Sequence, residues 1–227
     1  MAKKIIIAID GPAGSGKSSV GDMLAKRLGY IHLSTGAIYR AIGWKANKQR
    51  IQFSDIPAMI QLIEQTEIEF RRKSDGTNAI VVDGTDVSEI ITTNEVGLLA
   101  SAVAAIPEVR KGLLSLQRRA GKDGRVILDG RDIGTVVFPD AEVKFYLDAS
   151  AEERAKRRFL QLKEQGISAD LQQLIRDIKK RDDDDSNRKV APLRRAEDAI
   201  YIDSTTLAPE EVVERMLEEM RKIVESY

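Results

Sequence analysis

The sequence predicts an α/β protein, and two observations carry that expectation. Short apolar runs alternate with amphipathic stretches along most of the 227 residues, and the first run leads directly into a glycine-rich loop that opens a helix. Ile5-Ile6-Ile7-Ala8-Ile9 shows no polar alternation, which is the pattern of a strand covered on both faces. It ends at Asp10 and continues as Gly11-Pro12-Ala13-Gly14-Ser15-Gly16-Lys17-Ser18, a fit to G-x-x-x-x-G-K-[ST]. Val20, Met23, Leu24, Arg27 and Leu28 then recur at helical spacing, and Gly29 is a stop signal.

Strand, loop and helix in this order are the context in which the motif has a mechanism. Glycines let backbone N–H groups converge on phosphate oxygens, and the helix N-terminus adds partial positive charge. On this reading Gly11, Pro12, Ala13, Gly14, Ser15, Gly16, Lys17, Ser18 and Ser19 cradle the donor nucleotide. Lys17 bridges the β- and γ-phosphates and the Ser18 hydroxyl ligates Mg²⁺. From average composition, a chance match in a chain of this length arises on the order of once in a hundred. The motif therefore points to a nucleoside triphosphate, ATP in the reading developed below, bound with Mg²⁺.

Bulk composition narrows the class. With 42% hydrophobic residues the chain can bury one good core and an appended subdomain. Lys plus Arg and Asp plus Glu are 36 each, which argues against a nucleic-acid binder acting through bulk charge and leaves a local basic pocket open. There are no cysteines, so disulfides and Cys-based metal sites are excluded. The Lys3-Lys4 start and its five-residue apolar run, interrupted by Asp10, are too short for a signal peptide, and no run approaches a membrane span of about 20 residues. A soluble, cytoplasmic protein is the expectation.

Following the chain, Tyr30–Ser34 reads as a second strand holding His32, the one histidine, as a packed side chain. A helix from the Ser34-Thr35-Gly36 region to about Asn47 carries Arg40 in its first turns and Trp44 as a core residue. Asn47-Lys48-Gln49-Arg50 nearly matches the guanine-reading N-K-x-D, but a guanidinium cannot accept the guanine hydrogens, and no D-x-x-G switch is present. Ser54 to Ile68 is expected to be helical. Glu67–Arg71 and Ala79–Asp83 then flank a turn-rich Ser74–Asn78, predicting a hairpin, with a third short strand from Asp83–Ser88. Arg71-Arg72-Lys73 on this β-rich insert is read as a solvated face.

Helices follow at Thr93–Ala104 and Pro107–Ala120, then a buried strand at Arg125–Asp129 running into Gly130-Arg131-Asp132. Ligands in open α/β sheets sit at the carboxyl ends of strands, which places Asp129, Arg131 and Asp132 where chemistry belongs. Val143–Asp148 and Ala199–Asp203 complete five core strands, with charged helices at Ala151–Gln165 and Leu171–Lys180 between them. A last amphipathic helix spans Pro209 to about Glu225. Asp182–Asp185 lacks the alternating spacing and glycine of a calcium loop. If the acceptor is itself a phosphate, two anionic substrates held in line require several arginines from separate segments, whereas a hydroxyl acceptor calls for a neutral pocket and a carboxylate base; the supply of Arg40, Arg110, Arg131, Arg154, Arg157, Arg158, Arg181 and Arg188 favours the phosphate.

Six segments resemble the bacterial cytidylate kinase family, in order and along nearly the whole chain. They are IDGPAGSGKSS, TGAIYR at 35–40, ASAVAAIPEVR at 100–110, LDGRDIGTVVFPDA at 128–141, LDAS with EER at 147–154, and KKRDDDDSNRKVAPL at 179–193. The resemblance implies a nucleoside-monophosphate kinase fold: a five-stranded parallel sheet flanked by helices, in one kinase domain over 1–227. Its core would be 1–66 and 91–227, with a monophosphate-binding insert near 67–90 and a lid near 154–168. It implies ATP–Mg²⁺-dependent phosphorylation of CMP, and of dCMP, by a monomer. Lys17, Arg131 and Arg158 would be catalytic. Arg40, Arg131 and Arg188 would hold the acceptor phosphate, and Thr35, Arg110 and Asp132 the cytosine edge. Ser101, Arg181 and Asp185 would meet the ribose, while Arg154, Arg157 and Arg158 would close over the donor phosphates. Ser34 stands where the family often has Asp, and Thr35 where some members carry Ser; both keep hydrogen-bonding capacity. The competing expectations are a related kinase acting on UMP, AMP or a non-nucleotide acceptor, and a nucleotide-dependent switch that transfers nothing.

Overall fold

The computed structural model describes residues 5–72, 78–122 and 124–225. In chain order the first half runs β1 (Ile6–Asp10), α1 (Lys17–Leu28), β2 (Ile31–Ser34), α2 (Thr35–Lys48), α3 (Ile56–Glu64), β3 (Ile68–Arg72), β4 (Asn78–Val82), β5 (Thr85–Asp86), α4 (Asn94–Ala104) and α5 (Pro107–Gly121). The second half runs β6 (Val126–Gly130), a π-helical turn (Ile133–Val137), β7 (Val143–Asp148), α6 (Ala151–Glu164), α7 (Leu171–Ser186), β8 (Ile200–Asp203) and α8 (Pro209–Glu225). The chain divides into two compact units, Met1–Ile31 with Gly124–Tyr227, and His32–Asp123.

The five-stranded parallel sheet has the order β2-β6-β1-β7-β8. β1 is its centre, paired on one side with β6 (Ile9 opposite Asp129, Asp10 opposite Gly130) and on the other with β7 (Ile9 opposite Phe145). Side chains alternate between faces along a strand. On one face Ile5, Ile7, Ile9, Ile127, Val143, Phe145, Leu147 and Ile202 pack with Val20 and Leu24 of α1 and Val212, Val213, Met216 and Met220 of α8. Burial of this size, at about 25 cal/mol per Å² of apolar surface, is what makes β1 an immovable base for the loop that follows it. On the other face the small Ala8 and the acidic Asp10 leave room for the π-helical turn.

In the second unit α2, α3, α4 and α5 share a core of Ile38, Ile42, Met59, Leu62, Val103, Val109 and Leu113. Gly43 on α2 is required by close packing, because a Cβ there would lie 3.1 Å from the backbone of Leu99 on α4. β3, β4 and β5 form a separate antiparallel sheet, which includes the short third strand expected from Asp83–Ser88. The expected turn at Ser74–Asn78 and Lys73 fall largely outside the described residues, as do Lys3 and Lys4 at the start. His32 is buried and Trp44 is packed against the Ala37–Val96 cluster.

Two helices differ in length from the sequence expectation. α3 begins only at Ile56, where the Asp55 side chain accepts from the Ala58 N–H, and it ends at Glu64 because Ile68 is already in β3. α7 continues past Lys180 through Asp182–Asp185 to Ser186. Acidic residues in a last turn oppose the helix dipole; the arginines that compensate them belong to the site described below. Among the described residues no helix is long and apolar enough to cross a membrane.

Among the described residues of the second unit, Lys45 is a buried ammonium. Lys45 Nζ donates to Thr66 Oγ1 at 2.9 Å and pairs with Asp83 Oδ2 at 2.7 Å. Partial burial pushes the Asp83 carboxyl up, but the Lys45 bond and the Glu67 N–H outweigh it and hold the group below its ordinary value of 3.8. A lowered carboxyl stabilises the fold above its unfolded pKa and loses that contribution as pH falls through the folded one. Lys45→Met is therefore expected to cost about 1 kcal/mol at neutral pH. Urea denaturation at several pH values should show the gap between wild type and variant narrowing below about pH 4.

Candidate functional site

The loop between β1 and α1 owes its shape to glycine at two points. Gly11 approaches β7 so closely that a Cβ would lie 2.0 Å from the Leu147 carbonyl oxygen, and Gly16 caps α1 with φ 92°. Within this loop Lys17 is buried, and its Nζ donates to the Pro12 carbonyl at 2.6 Å and to Ser15 Oγ at 3.3 Å. Burial pushes the Lys17 ammonium well below its ordinary value, Arg131 and Arg181 add to the fall, and Asp129 and Asp10 oppose it. Such a cation gains strongly from an incoming polyanion.

Asp10 and Asp129 stand on neighbouring strands in adjacent registers and so face opposite sides of the sheet. Asp129 turns toward the head of α1, where Ser18 Oγ donates to its Oδ2 at 3.3 Å. Asp10 turns to the other face and accepts the Ile133 and Gly134 N–H groups, each at 2.7 Å. Burial pushes Asp10 up to about 7 and Asp132 adds to this, against the pull of those two N–H groups and of Lys17.

β6 ends in Gly130, after which Arg131 Nε donates to Asp185 Oδ2 at 2.7 Å and Nη1 to the Gly130 carbonyl at 3.4 Å. Burial pushes the Arg131 guanidinium down; Asp129, Asp182, Asp10 and Asp132 oppose the fall. Arg188 also pairs with Asp185. Asp132 is buried, and its carbonyl accepts from both Val136 and Val137 in the π-helical turn. Turns of this kind are frequent at functional sites.

Arg154 is the most enclosed of the three arginines on α6, only 4% exposed. Its Nε donates to the Ala149 carbonyl at 2.8 Å, Nη1 to the Ala13 carbonyl of the loop at 2.9 Å, and Nη1 and Nη2 to both oxygens of Asp182. Arg157 Nη2 donates to the Ser204 carbonyl at 2.6 Å, and its Nη1 lies 4.0 Å from the point where a Gly16 Cβ would be. Arg158 bonds Gln161 on its own helix.

The first unit thus gathers the Gly11–Ser19 loop, Arg131, Asp132, Arg154, Arg157, Asp185 and Arg188 around the carboxyl ends of β1 and β6. Arg158 on α6 and Arg181 on α7 also belong to the first unit, and the second unit holds the remaining expected residues. Thr35 opens α2, Arg40 follows in its second turn, and Ser101 Oγ donates to the Gly97 carbonyl. Arg110 is buried with its guanidinium over the Tyr39 ring and Nη1 donating to the Ala104 carbonyl. Sequence reasoning did not single out Asp10, and it weighed Asp182 only within the Asp182–Asp185 run. Asp10 was visible as an acidic residue ending a buried strand, a costly position that demands partners; nothing local marks Asp182 apart from its three acidic neighbours.

The Arg154–Asp182 pair yields a test. Arg154→Met strands the Asp182 carboxylate and removes the donor to Ala13, so it is expected to cost about 3 kcal/mol in urea denaturation. Asp182→Asn, which keeps an acceptor for the guanidinium, should cost less than half of that.

Against this geometry the comparisons with known proteins agree with one another. The family model for Cytidylate kinase matches residues 7–222. The Cytidylate kinase of Caldicellulosiruptor saccharolyticus is 50% identical over 222 residues, covering 98% of this chain and 98% of that protein. The Cytidylate kinase of Geobacter sp. (strain M21) is 51% identical over 212 residues, covering 93% and 91%. The crystal structure of an uncharacterized protein from Eubacterium ventriosum shares the fold with a TM-score of 0.52 at 15% identity, covering 97% of this chain and 99% of that one. With the phosphate-binding loop and the arginine-rich strand ends in place, the chain belongs to the cytidylate kinase family.

Proposed function

We propose that the protein transfers the γ-phosphoryl group of ATP to CMP, and also to dCMP, giving ADP and the cytidine diphosphate. The observation that carries this reading is the company Lys17 keeps. A buried ammonium inside a phosphate-binding loop shares one site with Arg131, Arg154 and Asp132. An acceptor oxygen on CMP is already ionised, so no general base is needed. That oxygen forms a bond to the γ-phosphorus, the bond to the bridging oxygen breaks, and the electron pair leaves with ADP. The protein's part is to hold two anions in line and to meet the charge of the transferring group.

In this reading the Gly11–Ser19 backbone and Lys17 hold the donor phosphates, and Arg154, Arg157 and Arg158 belong to a lid near 154–168. Arg154 contributes by fixing the loop through Ala13. Arg40, Arg131 and Arg188 take the acceptor phosphate, while Ser101, Arg181 and Asp185 take the ribose. Thr35, Arg110 and Asp132 read the base, within an acceptor side that includes the insert near 67–90. A buried carboxylate accepting from the exocyclic amine of cytosine disfavours uracil, whose oxygen would face it. Mg²⁺ fits the donor side: Ser18 Oγ and Asp129 at the head of α1 form the hydroxyl–carboxylate pair that holds the ion in related loops. When bound it neutralises charge on the β- and γ-oxygens. The enzyme acts as a cytoplasmic monomer on small molecules, with no nucleic-acid partner.

Coupled-assay ADP release with ATP–Mg²⁺ and each of CMP, dCMP, UMP, AMP and GMP tests the reaction. Strong turnover with CMP and dCMP and little with AMP or GMP is expected; turnover with none would overturn the acceptor. Lys17→Ala should lower kcat about a thousandfold with a cooperative melt retained. Asp132→Ala should raise KM for CMP at least about tenfold more than KM for ATP.

A further inference from the structure

Asp10 is given no substrate contact above and acts there only as a charge beside Lys17 and Arg131, yet it is 3% exposed and both of its oxygens are engaged. It accepts the N–H groups of two consecutive residues, Ile133 and Gly134, which stand 123 and 124 positions further along the chain. Those are the first residues of the π-helical turn, whose opening N–H groups have no partner inside the turn itself. The turn receives no side-chain cap from Asp132, the residue immediately before it. Its cap therefore comes from another strand.

We infer that Asp10 is a positioning residue for the acceptor side of the site: its carboxylate fixes the π-helical turn and so sets where Arg131 and Asp132 present their side chains. The reading rests on the roles proposed for those two residues. The backbone of Arg131 and Asp132 runs between two supports, one at each end. On one side is β6, locked in register to β1 through Asp10 opposite Gly130. On the other is the turn, whose Asp132 carbonyl already accepts two N–H groups and whose amino end hangs on Asp10. The space around the second support is closed. A Cβ on Gly134 would stand 3.1 Å from Lys144 Cδ and 3.4 Å from Asp10 Oδ2, so a larger side chain here would crowd Lys144 first and leave the carboxylate in ordinary contact. Lys144 is held in turn by the Pro139 carbonyl and by Asp198 at 2.7 Å.

The effect is directional. Gly11 of the donor loop is covalently next to Asp10, and the Asp10 charge also acts on Lys17, but the β1 backbone that carries the donor loop is held by ladders to β6 and β7 on both sides and does not depend on the Asp10 side chain. The π-helical turn does depend on it. Replacing the carboxylate by an amide presents an NH₂ to one of two converging N–H donors and must displace the turn. A shift of about 1 Å in a substrate-holding segment is enough to cost on the order of a hundredfold.

The test is Asp10→Asn in the full-length protein, with KM measured separately for the nucleotide acceptor and for ATP and the fold followed by thermal melting. KM for CMP is expected to rise at least about tenfold while KM for ATP changes less than about threefold. Amide hydrogen exchange at Ile133 and Gly134 should accelerate in the same variant. Equal shifts in the two KM values, or no shift in either, would overturn the inference, since general loosening or irrelevance would give those results. Should Asp10→Asn fail to fold, Asp10→Ser, which removes one of the two acceptor oxygens and the charge, must give the same split. Asp132→Ala run in parallel separates the two ideas: an unmoved acceptor KM there defeats base reading by Asp132, while the Asp10 split is still read on whichever acceptor the wild-type protein turns over.

Discussion

Positive charge can be gathered at one end of a buried sheet only where negative charge meets it, and the site depends on how this is arranged. Lys17 and Arg154 are buried and Arg131 is largely so. Asp182 holds Arg154, Asp185 holds Arg131 and Arg188, and Asp129 and Asp10 lower the cost of Lys17 and Arg131. An isolated buried charge costs several kcal/mol even after relaxation, so these carboxylates are a condition of the fold as well as of the chemistry. The balance of 36 basic and 36 acidic residues conceals this local order. It also accounts for α7, whose last turn carries four aspartates against the helix dipole. Asp182 and Asp185 lie one turn apart on the helix and reach arginines from α6 and from the end of β6.

Alternation along the strands divides the labour of the site. Asp129 faces α1 and the donor loop; Asp10, one register position further and on the next strand, faces the π-helical turn that follows Arg131 and Asp132. The central strand pair therefore sends one carboxylate toward the donor machinery and another toward the acceptor machinery. Because β1 and β6 are hydrogen-bonded along their full length, neither can move without the other.

Most of this frame was legible in the sequence because it is local. The run Ile5–Ile9, the glycine loop and the spacing of Val20 and Leu24 each announce an element from within a dozen residues, and five strands and the final helix lie where their apolar patterns put them. What was not legible depends on partners distant in sequence. α7 outlasts its expected end because Arg154 and Arg131, outside the helix, reward continuing through Asp182–Asp185. The expected helix at Ser54–Ile68 is cut short because Ile68 is claimed by the β3–β4 pairing. Asp10 reads as the polar end of a strand until Ile133 and Gly134 are seen to converge on it.

The donor loop is the sharpest case of this distinction. Its motif is eight residues long, yet the shape it adopts is imposed from β7 onward. Gly11 lies against the Leu147 carbonyl, Arg154 takes the Ala13 carbonyl, and Ser204 Oγ donates both to the Ser15 carbonyl, at 3.3 Å, and to the Asp148 carbonyl, at 2.9 Å. The contacts made to the loop itself, from Leu147, Arg154 and Ser204, each span more than a hundred residues, and contacts of such separation form only after loop-closure entropy has been overcome. The glycines permit the conformation; β7, α6 and the residues after β8 select it. A phosphate-binding loop of this kind is then a property of the assembled sheet, and its readiness to receive a triphosphate reports that the second half of the chain has already folded around it.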